Sequence, residues 1–444
     1  MTIEDGLELC PLDGRYSFIK KELSSYFSEY AYMKYRVYVE IKWLMYLVNN
    51  KLINCKNISK LENIYKTYND KSYLEIKEIE KVTKHDVKAV EYFIDNKLKD
   101  LKLDNLISFV HFGLTSEDIN NTSYALMIKD YLNNCYYNEI NNLLNCLKKI
   151  SKEYKNTVVL AHTHGQPATP TTIGKEFKVY IYRIEEEIKK LKKVEIKAKF
   201  NGATGNYSAF NVAYPNIDIV KFSKDFINSL DLTFNPYTTQ IENHDYIVTI
   251  LDITRHINNI ILDLDIDMWL YISKGYFKLK VVKNEVGSST MPHKVNPINF
   301  ENSEANFELS NSLLMSLSNK LPRSRMQRDL SDSSSLRNLG ISFGYSIQGI
   351  KETLKGLERV SINKELIDNE LSNNWELLAE PIQTILRKNN IQDAYNKLKE
   401  LTRGKNVTKE IIKEFINNLD INKEDKEILL NLTPNTYIGL ANKL

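Results

Sequence analysis

The sequence predicts an almost all-α protein of three helical domains, the central one a bundle of long helices. Three observations predict this. Residues that break regular structure are scarce: 15 glycines and 10 prolines in 444 residues, about 6% against a usual share near 12%, so elements run long. The pattern inside them is helical. Between Gln240 and Lys280, apolar residues recur at Ile250, Ile257, Ile261, Leu264, Met268 and Tyr271, spacings of 7, 4, 3, 4 and 3 that hold one helix face. Period-2 alternation, the mark of strands, is rare.

In chain order, residues 1–111 read as shorter helices with breaks at Asn50–Asn57 and Tyr68–Ser72. Proline-free helical runs then cover Ser116–Lys155, Thr172–Phe200, Gln240–Lys280 and Leu336–Val360. Ile253, Ile260 and Leu262 add apolar groups to the far side of the third run, which predicts burial on several sides. Its forty or so residues would span about 60 Å. Such a helix needs partner helices, from its own chain or from other subunits. Residues 365–444 return to short helices punctuated by Gly404 and Pro434. The expected domains are therefore 1–111, 112–364 and 365–444.

Composition narrows the function. Hydrophobic residues make up 42% and charged residues 26%, and 60 basic against 57 acidic side chains leave a net charge of +3. That balance gives no electrostatic case for nucleic acid or a membrane surface. The lysine-rich stretch Lys148–Lys199 carries interspersed glutamates and reads as a solvated helix face. Cys10, Cys55, Cys135 and Cys146 form no CxxC pair, so neither zinc nor a disulfide framework is expected. The N-terminus is acidic and lacks an apolar segment, and no run of about 18 apolar residues occurs. A cytoplasmic protein without metal or cofactor is expected.

The most informative stretch is Gly287-Ser288-Ser289-Thr290-Met291-Pro292-His293-Lys294-Val295-Asn296-Pro297. Its mixture suits a loop. Gly287 has the freedom to form a nest of backbone N–H groups, which can support an activated hydroxyl on Ser288. Lys294 and Asn296 can bind a carboxylate. Such a loop fits a β-elimination, in which a proton beside a carboxylate is removed and the resulting carbanion held.

Further stretches carry polar groups at turns or helix starts. In Thr163-His164-Gly165-Gln166-Pro167, a histidine sits in a turn ahead of a helix starting near Thr172, placed to protonate a leaving nitrogen. Lys84-His85-Asp86-Val87 holds a helical histidine beside an acid. In His111-Phe112-Gly113-Leu114-Thr115-Ser116-Glu117-Asp118, Thr115 or Ser116 can cap a helix, and hydroxyls and N–H groups there can bind a carboxylate. Gln240 follows Thr238 and Thr239, either of which could cap the next helix. Arg15-Tyr16 follows a turn, and Arg328 and Arg337 flank Ser331, Ser333, Ser334 and Ser335, a set that suits a monophosphate. Gly202-Ala203-Thr204-Gly205-Asn206-Tyr207 lacks the strand and lysine of a P-loop and reads as a turn.

The Gly287–Pro297 loop resembles the signature loop of the fumarase/aspartase superfamily of lyases, which release fumarate from succinyl-bearing substrates. The stretches around His164, His85, Thr115, Gln240 and the three arginines are similar to the branch of that superfamily that acts on purine ribotides. This resemblance covers Arg15 to Arg337, and the last 80 or so residues carry no recognisable motif.

The resemblance implies Ser288 as base, His164 as acid, Glu301 as the group orienting His164, His85 as second acid or orienting group, and Lys294 as a catalytic cation. It further implies substrate contacts from Arg15, Tyr16, Lys84, Asp86, Thr115, Ser116, Gln240, Ser289, Val295, Asn296, Asn302, Arg328, Ser333 and Arg337. It implies two reactions, adenylosuccinate to AMP plus fumarate, and succinylaminoimidazole carboxamide ribotide to the carboxamide ribotide plus fumarate. It implies a homotetramer whose long helices form the core and whose active sites each draw on three subunits. His162 is a departure, since some relatives have arginine there. A sister lyase of the argininosuccinate lyase or fumarase type is disfavoured by the His164 and Gln240 stretches and the three arginines. A non-catalytic protein on the same fold is disfavoured by the intact base, acid and orienting glutamate.

Overall fold

The computed structural model describes residues 7–55, 57–280, 290–291, 293–402 and 407–444. Helices α1 (Ser17–Phe27), α2 (Glu29–Asn49), α3 (Ser59–Lys66), α4 (Asp70–Thr83) and α5 (Asp86–Asp100) follow through short breaks. Next come α6 (Ser116–Tyr131), a π turn at Leu132–Tyr136 and α7 (Tyr137–Glu153), which together fill the predicted Ser116–Lys155 run. Strands β1 (Val158–Thr163) and β2 (Gln166–Thr172) form an antiparallel hairpin that leads into α8 (Ile173–Leu191). Then β3 (Lys197–Ala198), α9 (Ser208–Ala213) and α10 (Ile219–Ser229) precede β4 (Thr233–Phe234), which pairs parallel to β3. The long helices α11 (Asp245–Ser273), α12 (Ile298–Lys320) and α14 (Leu339–Glu358) enclose β5 (Phe277–Leu279) and α13 (Ser331–Leu336) in the chain order. Strand β6 (Val360–Ile362) pairs antiparallel to β5, and α15 (Lys364–Ser372), α16 (Ala379–Lys388), α17 (Ala394–Thr402), α18 (Lys409–Asn417) and α19 (Lys423–Asn431) complete the chain.

The chain parts into two units. The first comprises residues 1–141, 187–259 and 305–351, the second residues 142–186, 260–304 and 352–444. In the first unit Trp43 of α2 lies within 5.9 Å, centroid to centroid, of Phe200, Phe210, Phe222 and Phe226. There the long helices are keyed by buried polar groups: Asn258 of α11 donates to Ser310 of α12 at 3.1 Å and accepts from Ser346 of α14 at 2.7 Å. The second unit repeats the device further along the same helices. Thr353 of α14 donates to Asp265 of α11 at 3.0 Å and shares a 2.8 Å hydrogen bond with Ser303 of α12. Burial drives the Asp265 carboxyl well above its ordinary value, which favours the neutral acid over a buried charge. The short C-terminal helices close on their own apolar cluster of Leu378, Ile382, Leu386, Ile412, Ile416 and Leu429.

The stripe expected on α11 is fully buried at Ile250, Ile257, Ile261, Leu264 and Met268. The helix itself is shorter than the sequence suggested, 29 residues, about 44 Å. It begins at Asp245 because His244 takes a left-handed backbone (φ 64°), and it stops ahead of Gly275 (φ 79°). Thr238 and Thr239 therefore cap no helix. The predicted Thr172–Phe200 run is also cut short, since the chain leaves α8 at Leu191 to pair Lys197–Ala198 with Thr233–Phe234. The missed strands are mostly two or three residues long, too short to show alternation. The longer hairpin hides behind Pro167 and Pro170, which edge positions tolerate.

Candidate active site

In the first unit, α4 ends on Lys84 in a left-handed conformation (φ 55°). His85 then caps α5: its Nδ1 accepts the Lys88 N–H at 3.1 Å. The sequence predicts a histidine within the helix; it is instead the cap, and the distinction matters for chemistry. With Nδ1 occupied as acceptor, the neutral ring carries its proton on Nε2. His85 is exposed, so that proton is open to a substrate.

Asp86 starts α5 and takes two arginines on one oxygen. Its Oδ2 lies 2.8 Å from Arg36 Nη2 and 3.4 Å from Arg337 Nη2. Burial pushes the Asp86 carboxyl up, but the adjoining Arg36 guanidinium outweighs burial and holds it below the ordinary range. On α6, Glu117 Oε1 likewise accepts twice, from Arg328 Nη1 at 2.7 Å and Asn120 Nδ2 at 2.8 Å. Arg36 Nε donates to Asn120 Oδ1 at 2.9 Å. The predicted arginines 328 and 337 are thus joined through Asp86, Arg36, Asn120 and Glu117. Arg36, Asn120 and the role of Glu117 were missed in the sequence. The available signal was that Arg36 and Glu40 fall on the Met33, Val37, Ile41 and Leu44 face of α2, where a charge requires a partner.

Thr115 is the N-cap of α6, and Asp118 three residues on accepts its N–H at 2.9 Å. The same carboxylate reaches the 199–202 segment, accepting from Lys199 Nζ and from the N–H of Asn201, both at 3.0 Å, and from Gly202 at 3.1 Å. This pins the Gly202–Tyr207 turn to the helix start that carries Thr115 and Ser116. The turn also meets the Gln240 segment: Asn201 Nδ2 donates to Thr238 Oγ1 at 2.8 Å. Gly205 has φ 79°, and a Cβ there would lie 2.2 Å from the Thr238 carbonyl oxygen. Gly205→Ala should cost about 1–3 kcal/mol from overpacking, with about 1 kcal/mol more from left-handed backbone. A lowered urea midpoint at constant protein concentration is the check.

The Gln240 N–H donates to the Gln327 carbonyl at 3.3 Å, which brings Gln240 beside Arg328. Ser333 lies in the first turn of α13 next to Asp332, whose Oδ2 is 3.2 Å from His244 Nε2. Burial raises the Asp332 carboxyl, but the adjacent His244 and Arg328 more than reverse this. Arg15 is exposed and Tyr16 half-buried, in the turn before α1. Cys10, Leu12 and Asp13 of that turn line a cavity of about 180 Å³ with Arg337.

The second unit holds the other predicted groups. His164 and Gly165, at φ 53° and 71°, form the two-residue turn between β1 and β2. Consecutive left-handed residues match the twist of a tight hairpin, and the turn leaves His164 exposed at the tip. Burial and the nearby Lys274 hold His162 below its ordinary pKa. Where an arginine would be charged, this chain therefore presents a neutral ring at neutral pH. Ser288 and Ser289 lie outside the described residues. Lys294 and Val295 are exposed and Asn296 is half-buried in the segment leading to α12. Glu301 lies in the first turn of α12 and Asn302 follows it. Glu301 accepts from Trp269 Nε1 at 3.1 Å; among the described residues of this chain it makes no hydrogen bond to His164. No group of three or more metal-binding side chains occurs among the described residues, and no described helix is long and apolar enough to cross a membrane.

Solved structures share this arrangement of helices. A fumarate lyase from Mesorhizobium sp. BNC1 matches with a TM-score of 0.77 at 14% identity, covering 95% of this chain and 96% of its own. A 3-carboxy-cis,cis-muconate lactonizing enzyme from Pseudomonas putida matches with a TM-score of 0.76 at 18% identity, covering 95% of each chain. At those identities the likeness speaks for the fold alone. A family model described as "Lyase" matches residues 14–307, and with this fold and these polar clusters it defines the class: a helical lyase. A second model, "Adenylosuccinate lyase C-terminal", matches residues 324–438 and accounts for the end of the chain, in which the sequence reading found no motif. The adenylosuccinate lyase of Buchnera aphidicola subsp. Schizaphis graminum is 48% identical, and that of Haemophilus influenzae 47%, each over 100% of this chain and 99% of its own. That of Escherichia coli K12 is 47% identical over 99% of this chain and 98% of its own. The chain belongs to the adenylosuccinate lyase family.

Proposed function

We propose that the protein cleaves adenylosuccinate to AMP and fumarate, and succinylaminoimidazole carboxamide ribotide to the carboxamide ribotide and fumarate, in purine nucleotide synthesis. Ser288, as alkoxide, takes the proton from the succinyl carbon beside the carboxylate. The electron pair left on carbon forms the new double bond as the C–N bond breaks, and His164 delivers a proton to the leaving nitrogen. Glu301 orients His164, and His85 offers its Nε2 proton to the purine side. Lys294, Asn296, Thr115, Ser116, Ser289 and Gln240 hold the succinyl carboxylates. Val295 and Asn302 line that end, and Lys84, Asp86 and Tyr16 line the other. Arg15, Arg328, Ser333 and Arg337 take the 5′-phosphate, for which arginine forks are suited. Acid, base and fixed charge suffice for these steps, so no metal or cofactor is required.

The observation that carries this reading is the linked cluster in which Arg328 and Arg337 stand beside the His85 corner, within a chain matched end to end by adenylosuccinate lyases. The active form is a homotetramer with each site shared among three subunits, and its place is the cytoplasm. Tyr182, Leu270, Leu309 and Met315, exposed on the long helices of a single chain, support burial against other copies. The domain division 1–111, 112–364 and 365–444 belongs to the same proposal. The test is direct. Purified protein should release fumarate from both ribotides, followed by ultraviolet absorbance. Cleavage of neither, or of only a succinyl compound without a ribotide phosphate, would remove the assignment.

A further inference from the structure

We infer that Arg36 is a positioning residue that sets the spacing and aim of Arg328 and Arg337 toward the substrate phosphate. The inference rests on the reading that these two arginines bind that phosphate. Both lie in the 321–338 segment, whose only helix is the six-residue α13. Little regular structure there fixes their heads, and each long side chain carries about 2 kcal/mol of rotamer entropy. Each is tied down by a carboxylate instead. Arg337 is held by Asp86 at the start of α5, and Arg328 by Glu117 in the first turn of α6.

Arg36 of α2 joins those two anchors. Its Nη2 meets the same Asp86 oxygen that Arg337 meets. Its Nε meets Asn120 Oδ1, and the Asn120 amide nitrogen donates to the same Glu117 oxygen that Arg328 meets. Arg36 is 1% exposed, and its guanidinium stacks 3.8 Å over the Tyr32 ring. It has no room to swing. Two donors on a rigid plane fix the directions to Asp86 and Asn120 at once, a geometry that a lysine ammonium cannot reproduce.

Arg36→Lys in the full-length tetramer is the test, with the wild type assayed alongside. The KM for adenylosuccinate should rise about tenfold or more, since small misplacements of binding groups are costly. The kcat should change by less than about threefold, the pattern of lost uniform binding. Inhibition by AMP should weaken by a similar factor while inhibition by adenosine does not, and Arg36→Lys combined with Arg337→Gln should lose less than the product of the two single losses, since only the Arg328 arm then remains to be misplaced. Unchanged KM in a folded tetramer overturns the inference. So does an equal loss for AMP and adenosine, which would mean general structural damage. If Arg36→Lys does not fold, Asn120→Leu cuts the chain on its other side and is read by the same measurements. A wild type inactive on both ribotides would instead remove the functional reading beneath the inference.

Discussion

Ser288→Ala should lower kcat on adenylosuccinate by about 10²–10⁴-fold, the range a positioned base contributes, with KM changed by only a few fold. The proton to be removed sits beside a carboxylate, which is a poor carbanion stabiliser in water, so an ordinary hydroxyl is far too weak a base. Ser288 follows Gly287 in a stretch whose glycine permits converging backbone N–H groups, and Lys294 lies six residues on. In the proposed mechanism both would lower the cost of an alkoxide. Alanine removes the oxygen and leaves the carboxylate-binding groups, so substrate still binds while turnover stalls. Ser289→Ala separates the two serines: as a binding hydroxyl it should raise KM more than it lowers kcat. Steady-state kinetics on variants whose assembly size matches the wild type decide the matter. Undiminished turnover in Ser288→Ala would overthrow the role of the loop, and a larger kcat loss from Ser289→Ala would exchange the two assignments.

The helical class and the long elements were legible in the sequence because they rest on local signals. Scarce glycine and proline and a sustained 3.6 period on α11 are properties of neighbouring residues. The ends of the helices were not legible, because they depend on single backbone angles such as those of His244 and Gly275 and on a β3–β4 pairing that spans more than thirty residues. The site divides the same way. The polar turns at Thr115 and His164 could be read from residue types and spacing, whereas His85 reads as helical and is a cap. Arg36 could not be given a role, because its partners Asp86 and Asn120 lie 50 and 84 residues away. The match to residues 324–438 also covers a stretch of ordinary short amphipathic helices, where single-sequence reasoning finds only periodicity. Chemistry at turns is conspicuous in a sequence. The buried groups that aim it are dispersed, and only the fold collects them.

The largest stability effect should come from Lys199→Met, at about 3–5 kcal/mol, the cost of stripping one partner from a buried ion pair. Lys199 and Asp118 are both wholly buried with 3.0 Å between Nζ and Oδ1, so neither charge is shared with water. The loss is moderated because Asp118 also accepts from the N–H groups of Thr115, Asn201 and Gly202. It is aggravated because Lys199 Nζ donates to the Gly202 carbonyl at 2.9 Å, which methionine leaves unsatisfied. A lower urea midpoint with unchanged slope, at one protein concentration, is the expected result. Adding Asp118→Asn should recover part of the loss by removing the stranded charge, though the amide cannot accept all of the backbone donors on both oxygens. Function should suffer with stability, since Asp118 binds the Gly202–Tyr207 turn to the helix start that carries Thr115 and Ser116. Lys199→Met should therefore raise KM even where the size of the assembly is unchanged. A variant as stable as the wild type would mean that the backbone N–H groups alone hold the Asp118 carboxylate, and that the lysine is dispensable to this half of the site.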